Sequence, residues 1–341
     1  MHITRPIATL SLVAASALVL AGCSSAGEEA AEAADAPTAS EAETVEFSWD
    51  RNIAGEDEEP ELEKTTVEVP KNPEKIVAFE MSTVDTIGAL GGEVAGAPLD
   101  SVPDYLQDAL ADDAFNAGTL FEADLIEIEA QQPDLIVIGG RSSGLYEDLS
   151  EIAPTIDLGI AGTYTETLER NVTFLGEVLG AEDEAASALE DLEAGIDEAK
   201  AVTAEAGTGL GVMVSGGELS ALAPSEQGGG SANVRGGLLY DVFGVEPVVE
   251  DIASATHGEP VSFEFLLEKN PDTLWVVDRD VATGEAEAGA AAEVLDNDIV
   301  KQTAAAQNDR IVYLDPVAWY IVYGGIETTQ LLIDDVMQIA S

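Results

Sequence analysis

Three arginines stand out in a chain of 341 residues that carries 67 acidic side chains against 13 basic ones, a formal net charge of −54. Arg141 ends the run Leu135-Ile136-Val137-Ile138-Gly139-Gly140-Arg141, and Arg279 ends Leu274-Trp275-Val276-Val277-Asp278-Arg279. Arg235 sits in the glycine-rich stretch Gly228-Gly229-Gly230-Ser231-Ala232-Asn233-Val234-Arg235-Gly236-Gly237. A guanidinium is the side chain best shaped for planar anionic oxygen groups, because its fixed fork of N–H donors matches them in pairs. In so acidic a chain any single arginine is expected to pair with a nearby carboxylate. Three of them, two at the ends of strand-like runs and one in a glycine-rich loop, point instead to a cleft for an anion.

Two further side chains could do coordination chemistry. His257 lies in Ala255-Thr256-His257-Gly258-Glu259-Pro260, a polar loop bounded by Gly and Pro. It is a candidate ligand or hydrogen-bonding group, and an exposed loop histidine explains it equally well. Tyr320 lies in Asp315-Pro316-Val317-Ala318-Trp319-Tyr320. A phenolate is a hard oxygen donor and suits Fe(III), while Trp319 and Tyr323 nearby also allow plain aromatic packing.

One pattern suggests an enzyme. Gly140-Arg141-Ser142-Ser143-Gly144 matches G-x-S-x-G directly after a strand, which would make Ser142 a nucleophile and His257 its base. The pattern is short, no recognisable context surrounds His257, and an arginine inside the elbow is unusual. A secreted serine esterase is therefore the alternative from another class. The glycine-rich stretch is not a P-loop, because no Gly-Lys-Ser/Thr follows it. Beyond His2 in the leader, one histidine cannot supply a histidine cluster for zinc or manganese.

The elements that must position these residues alternate between strand and helix. Strands are expected at Thr66–Val69, Ile76–Phe79, Leu135–Ile138, Gly209–Val214, Leu274–Val277 and Ile311–Leu314. Helices are expected from an N-cap at Ser82 to Leu90, at Leu125–Ala130, Leu145–Ile152, Thr163–Leu179, Leu238–Phe243, Phe263–Glu268, Val294–Gln302 and Thr328–Ile339. Such alternation implies parallel sheet with helices on its faces. Ala181–Ala206 runs without proline and is rich in Ala, Leu and Glu. At about 26 residues it would span roughly 39 Å as one helix, long enough to join two αβ halves. Ligands of open αβ sheets bind beyond the carboxyl ends of strands, which is where Arg141 and Arg279 fall, one in each half.

The N-terminal segment reads as a leader. Arg5 precedes a short apolar run from Ile7 to Leu20, too short for a membrane span, and Leu20-Ala21-Gly22-Cys23 follows. That tetrapeptide resembles a bacterial lipobox, which implies cleavage before Cys23 and its lipidation. Cys23 is the only cysteine, so an intrachain disulfide is excluded. Residues 23–45 are acidic and low in complexity and are expected to form a disordered tether. Removal of residues 1–22 takes away Arg5 alone among the charged residues, so the charge becomes one unit more negative. Such acidity argues against nucleic acid as a partner and against direct adhesion to an anionic membrane. With only six lysines it suggests a salt-rich habitat, where screening weakens self-repulsion. A melting temperature rising steeply with added salt is the expected outcome, and no dependence on salt would count against it.

From about Val67 to the C-terminus the chain resembles the substrate-binding lipoproteins of iron-siderophore ABC importers, especially those for ferric catecholates. The resemblance rests on Val69-Pro70-Lys71-Asn72-Pro73-Glu74-Lys75-Ile76-Val77, on Asp85 to Gly91, on Gln132-Pro133-Asp134-Leu135-Ile136 and on Ile152-Ala153-Pro154-Thr155. It rests also on Ala255-Thr256-His257-Gly258 with Val261-Ser262-Phe263-Glu264, and on Val312-Tyr313-Leu314-Asp315-Pro316 with Trp319-Tyr320. It implies an α/β, periplasmic-binding-protein-like fold of two αβ lobes joined by a single long helix. The expected division is a leader at 1–22, a tether at 23–45, an N-terminal lobe at 46–180, a connecting helix at 181–206 and a C-terminal lobe at 207–341. It implies that Arg141, Arg235 and Arg279 face an anionic ferric siderophore, and that His257 and Tyr320 complete the coordination of its iron when the siderophore leaves sites open. It implies docking to a permease through an acidic residue on each lobe. Glu264 fits on the C-terminal side; on the other the position falls on Ile126, with Glu127 beside it. The expected protein is a lipid-anchored, extracytoplasmic, monomeric binding protein with no intrinsic cofactor and no enzymatic activity. Trp319 is its expected fluorescence reporter, and a hydroxamate complex, haem or a corrinoid are alternative ligands.

Overall fold

The computed structural model describes residues 43–54, 61–224, 234–286 and 289–340. The leader, Cys23, all but the end of the tether, and Gly228 to Asn233 lie outside the described residues.

The first described element is a hairpin of β1 (Thr44–Asn52) and β2 (Leu62–Pro70), paired antiparallel with Val45 opposite Val69. It begins inside the segment expected to be tether. Val45, Phe47 and Trp49 alternate with exposed or half-buried residues and are buried, a period-two pattern hidden by the acidic composition upstream. Then follow β3 (Ile76–Ala78), α1 (Met81–Ala89), β4 (Val94–Ala97), β5 (Leu110–Asn116), α2 (Leu125–Gln131), β6 (Leu135–Ile138), α3 (Tyr146–Ser150), β7 (Thr155–Asp157) and α4 (Tyr164–Leu179). The five strands β3 to β7 form one parallel sheet in the order β5-β4-β3-β6-β7. Its central strands β3 and β6 are buried along their whole length, as expected of parallel strands covered on both faces. The hairpin leans on this half through Phe47, whose ring lies 4.5 Å from that of Phe174 in α4. Helix α4 starts at a capping box in which Thr163 Oγ1 accepts from Glu166 N and Glu166 Oε2 accepts from Thr163 N.

Helix α5 (Glu182–Thr203) is the longest, 22 residues or about 33 Å. It packs on α4 and, from the other end of the chain, on α11 (Ile326–Met337), burying Leu192, Ile196 and Ala199. Fully burying a leucine or isoleucine contributes about 1.5–3 kcal/mol.

The second half holds β8 (Thr208–Ser215), β9 (Glu218–Ala221), α6 (Val234–Gly236), β10 (Glu246–Pro247), β11 (Glu259–Val261), α7 (Phe263–Lys269), β12 (Thr273–Asp278), α8 (Arg279–Ala282), α9 (Ala290–Leu295), α10 (Ala304–Gln307) and β13 (Ile311–Tyr313). Its sheet runs β11-β9-β8-β12-β13, with β10 paired to the start of β8. Strands β8, β12 and β13 are parallel, and β9 and β11 add an antiparallel edge. The hairpin between β8 and β9 turns on Gly216 and Gly217, both with positive φ, the geometry that two-residue hairpins favour.

Several local expectations change. Helix α1 is entered from Glu80, and Ser82 lies inside its first turn rather than at the cap. The helix expected over Val294–Gln302 is broken, because Asn297 Oδ1 accepts from Ile299 N and Val300 N and restarts the chain as a short 3₁₀ turn at Val300–Gln302. The segment Gly237–Val242 is a π-helix that continues α6. Asp85, within α1, is buried and holds the N-terminus of α11. Its carboxylate accepts from Glu327 N, Thr328 N and Thr328 Oγ1 at 2.6–2.9 Å. Gly325 is required there, since a Cβ would lie 2.4 Å from the Asp85 carboxyl carbon and φ is +91°.

Candidate ligand-binding cleft

The five residues singled out from the sequence meet at one place, the π-helix Ala318–Val322. Asp315 Oδ1 starts that helix by accepting from Val317 N and Ala318 N. Asp335 Oδ2 holds it to α11 by accepting from Asp315 N and from Trp319 Nε1 at 2.9 Å. Its wide turn closes with Tyr323 N donating to Ala318 O, five residues back. Tyr323 then adopts φ +39°, an uncommon conformation for a bulky residue. The carbonyls of Tyr320 and Ile321 become acceptors for side chains from elsewhere.

Arg141 reaches them from the N-terminal half. Strand β6 ends at Ile138, and after Gly139 the 3₁₀ turn Gly140–Leu145 opens on Gly140, with φ +52°. Arg141 Nη1 donates to Ile321 O at 3.1 Å and Nη2 to Tyr320 O at 3.0 Å, with the guanidinium 5.4 Å from the centre of the Tyr323 ring. Arg235, in α6, comes from the C-terminal half. Its Nη2 donates to the same Tyr320 carbonyl at 3.0 Å and its Nη1 to Thr256 O at 3.1 Å, and its guanidinium lies 4.2 Å over the Tyr320 ring. It is 7 % exposed, and its Nε is buried without a hydrogen-bond partner. Burial pulls its pKa below the usual arginine value, with smaller contributions from the other two guanidiniums. Arg279 opens α8 where β12 ends. Its Nε donates to Tyr320 Oη at 3.0 Å and its Nη1 to Ser215 Oγ at 3.2 Å. Asp280 and Glu285 lie 3.8 and 3.7 Å from Nη1. The hydrogen bond to Tyr320 raises its pKa above the usual value; burial opposes this, and the nearby Glu285 and Asp280 charges add smaller upward effects.

Among the described residues, no ion pair includes Arg141 or Arg235. The ordinary explanation, pairing with a carboxylate, therefore holds for Arg279 and not for the other two. Neutral carbonyls orient those guanidiniums and no direct ion pair neutralises them, an arrangement that suits an anion.

His257 sits exposed at the rim, its Nε2 3.2 Å from Tyr320 Oη and the two rings stacked at 6.3 Å. Desolvation, then Arg235 and Arg279, lower its pKa below the usual histidine value, which favours the neutral imidazole that can donate a lone pair. Tyr320 is buried; its carbonyl is held by Arg141 and Arg235, its ring lies under Arg235, and its hydroxyl sits between Arg279 and His257. Trp319, beside it, is fully buried against Phe243 and points away from the rim.

Ser142 is not placed as a nucleophile. It is 1 % exposed, and its Oγ accepts from Gly139 N and donates to Gly139 O, so the hydroxyl belongs to the turn that presents Arg141. The G-x-S-x-G match is a strand-ending turn, and the esterase alternative loses its nucleophile. Among the described residues no group of three or more His, Cys, Asp or Glu side chains could hold a metal ion.

Away from the cleft, Glu264 is exposed in the first turn of α7. Glu127 is half-buried and accepts from Gln131 Nε2, and Ile126 beside it is 83 % exposed. Sequence reasoning missed Tyr323, Ser215 and Glu80 around the arginines. The run Tyr323-Gly324-Gly325 was the available signal for the first, and Gly216-Gly217 for the hairpin that carries Ser215.

Comparison with known proteins agrees with this architecture. Residues 76–318 match the family model described as periplasmic binding protein. The chain is 36 % identical over 280 residues to the petrobactin-binding protein YclQ of Bacillus subtilis, covering 81 % of this chain and 85 % of that one. Among solved structures, a TroA-like periplasmic binding protein from Xylanimonas cellulosilytica matches with 67 % identity and a TM-score of 0.82, covering 87 % of this chain and 99 % of that one. The periplasmic catecholate-siderophore binding protein VctP of Vibrio cholerae matches with 32 % identity and a TM-score of 0.74, covering 87 % and 100 %. The α/β architecture of two lobes, the parallel sheet order and a match over most of the chain place this protein in the periplasmic binding protein family.

Proposed function

We propose that the protein captures an anionic ferric siderophore of the catecholate type and delivers it to an ABC importer. The observation that carries this is the convergence of three guanidiniums from both halves on Tyr320, two of them hydrogen-bonded to neutral carbonyls and in no direct ion pair. A fully deprotonated ferric tris-catecholate carries three negative charges, which Arg141, Arg235 and Arg279 balance. Relatives whose names specify petrobactin and catecholate siderophores support the same ligand class.

In this mechanism the ligand oxygens replace the carbonyls of Tyr320 and Ile321 as acceptors of the Arg141 and Arg235 fork. Each guanidinium exchanges a neutral hydrogen bond for a charge-assisted one, roughly twice as strong. A hexadentate siderophore fills the coordination of its iron, and a tetradentate one leaves two positions to His257 Nε2 and Tyr320 Oη, already 3.2 Å apart. The iron is cargo throughout. The acidic body repels such a ligand at long range, and salt reduces the repulsion, since the Debye length is about 8 Å at 0.15 M.

The wider assignment follows the same reading. Cys23 carries a lipid that tethers the chain outside the cytoplasmic membrane, α5 serves as the strut between an N-terminal and a C-terminal lobe, and Glu264 and Glu127 meet the permease. The protein acts as a monomer and has no catalytic activity. A fluorescence titration against a panel of ferric siderophores tests the central assignment. Saturable quenching by anionic catecholate complexes is expected, and no response to any of them would overturn it. Absence of turnover of a chromogenic ester separates the binder from the esterase.

A further inference from the structure

Behind Arg141 lies a carboxyl group that the binding mechanism has not used. Glu80 precedes α1 and is 5 % exposed. Its Oε2 sits directly under the turn that presents Arg141, since a Cβ added to Gly139 or Gly140 would fall 3.0 or 3.3 Å from it. Both glycines thus leave room for an acid beneath a ligand-facing cation. Glu80 also borders a narrow cavity of about 50 Å³ shared with Ser82, Gly140, Tyr164, Tyr323 and Gly325.

The groups that face Glu80 come from every surrounding element. Arg141 approaches from the 3₁₀ turn, Asp157 from β7, Ser82 from α1 and Tyr323 from the segment after the π-helix. Tyr164 of α4 lines the same cavity, and Arg170 of α4 faces Asp157 while donating to Gly159 O at 2.7 Å. Burial raises the Glu80 pKa from 4.5 to about 7. Arg141 opposes that rise and Asp157 adds to it. Near neutral pH the site is thus divided between a carboxylate that cancels part of the Arg141 charge and a neutral acid that does not.

We propose that Glu80 is a further specificity-determining residue of the cleft, whose carboxylate takes a proton from solvent when a multiply charged anion docks on Arg141, so that the buried negative charge behind this guanidinium is removed as the ligand arrives. The inference rests on the anion-binding role assigned to Arg141. Docking brings negative charge towards a buried carboxylate and favours its neutral form. By linkage, uptake of a proton on binding means tighter binding as pH falls. The affinity for a trianion is therefore full below about pH 6 and declines as pH rises through the value near 7. A neutral chelate gains little from the same proton, so Glu80 grades ligands by charge.

The experiment is calorimetric titration of the intact protein with a hexadentate ferric tris-catecholate in two buffers of different ionisation enthalpy, which counts protons taken up. Wild type at pH 7.5 is expected to take up a fraction of a proton, and Glu80→Gln clearly less. Glu80→Gln is also expected to bind the trianion about tenfold more tightly at pH 8.5, one pKa unit of interaction, and within about twofold of wild type at pH 6. Equal proton uptake by both proteins, or equal pH dependence, would overturn the proposal, since His257 contributes to both alike. Should Glu80→Gln fail to fold, His257→Ala decides, since it lacks the other cleft group able to take up a proton near neutral pH: uptake at pH 7.5 that shrinks at pH 9 supports the proposal, and none at pH 7.5 rejects it. If wild type binds no ferric tris-catecholate at any pH, the ligand assignment fails instead.

Discussion

The two halves bring their arginines to the cleft by different means. From the N-terminal half comes one guanidinium on a glycine turn, stacked on Tyr323 and backed by a buried carboxyl. The C-terminal half supplies two. One is buried in α6 with no carboxylate partner, and the other heads α8 with Asp280 and Glu285 beside it. Both halves contact the π-helix, so a ligand there senses three cations in three states of neutralisation. Arginine count alone therefore misjudges the site, and the partner of each arginine sets how much of its charge a ligand meets.

That contrast ranks the single substitutions. Arg235→Ala removes the most desolvated and least cancelled charge and is expected to weaken ferric tris-catecholate binding by about 2–3 kcal/mol, some 30- to 150-fold. Arg279→Ala is expected to cost about 1.4 kcal/mol, a factor of ten, because two carboxylates already temper that charge. Dissociation constants for the two variants check the order, and a larger loss for Arg279→Ala would break the distinction drawn between them.

Buried acids also distinguish the site from its frame. Glu80 in the cleft is raised to about 7, while Asp85 and Asp335, which fasten α11 and the π-helix, are each raised to about 6, in all three cases chiefly by burial. A carboxyl whose pKa is higher in the folded state binds more protons folded than unfolded. Its contribution is fully present below the unfolded value and lost as pH rises through the folded one. Thermal stability is therefore expected to fall between about pH 4 and pH 7, in the same direction as self-repulsion within a chain of net charge −54. Melting temperatures across that range check it, and a melting temperature rising with pH would contradict it.

The smallest effect concerns His257. Its replacement by alanine is expected to weaken tetradentate ferric complexes by about fivefold and hexadentate ones by less than about twofold, because only the former leave iron positions open. Parallel titrations with the two ligand types measure this, and equal losses would confine His257 to the rim.

Much of the site was legible before any coordinates. Buried runs of β-branched residues marked β6 and β12, and their cationic ends marked Arg141 and Arg279. Other features rested on contacts distant in sequence. Asp85 looked like part of its own helix, yet its acceptors' partners lie more than 240 residues away. The break at Asn297 depended on a side chain competing for backbone N–H groups, which apolar spacing does not register. Glu80 was unreadable because nothing local says that the residue ahead of α1 will lie beneath Gly139 and Gly140. The G-x-S-x-G match misled for a related reason: the letters specify a turn, and only burial shows which way Ser142 points.

The most direct test of the account is a fluorescence titration of wild type and of the Arg141→Ala, Arg235→Ala, Arg279→Ala triple variant with one ferric tris-catecholate. Trp319, one residue from Tyr320 and shielded from solvent, is the expected reporter. The account predicts saturable quenching in wild type and at least a thousandfold weaker binding in a folded triple variant, about 4 kcal/mol or more. Unchanged affinity in that variant would contradict it.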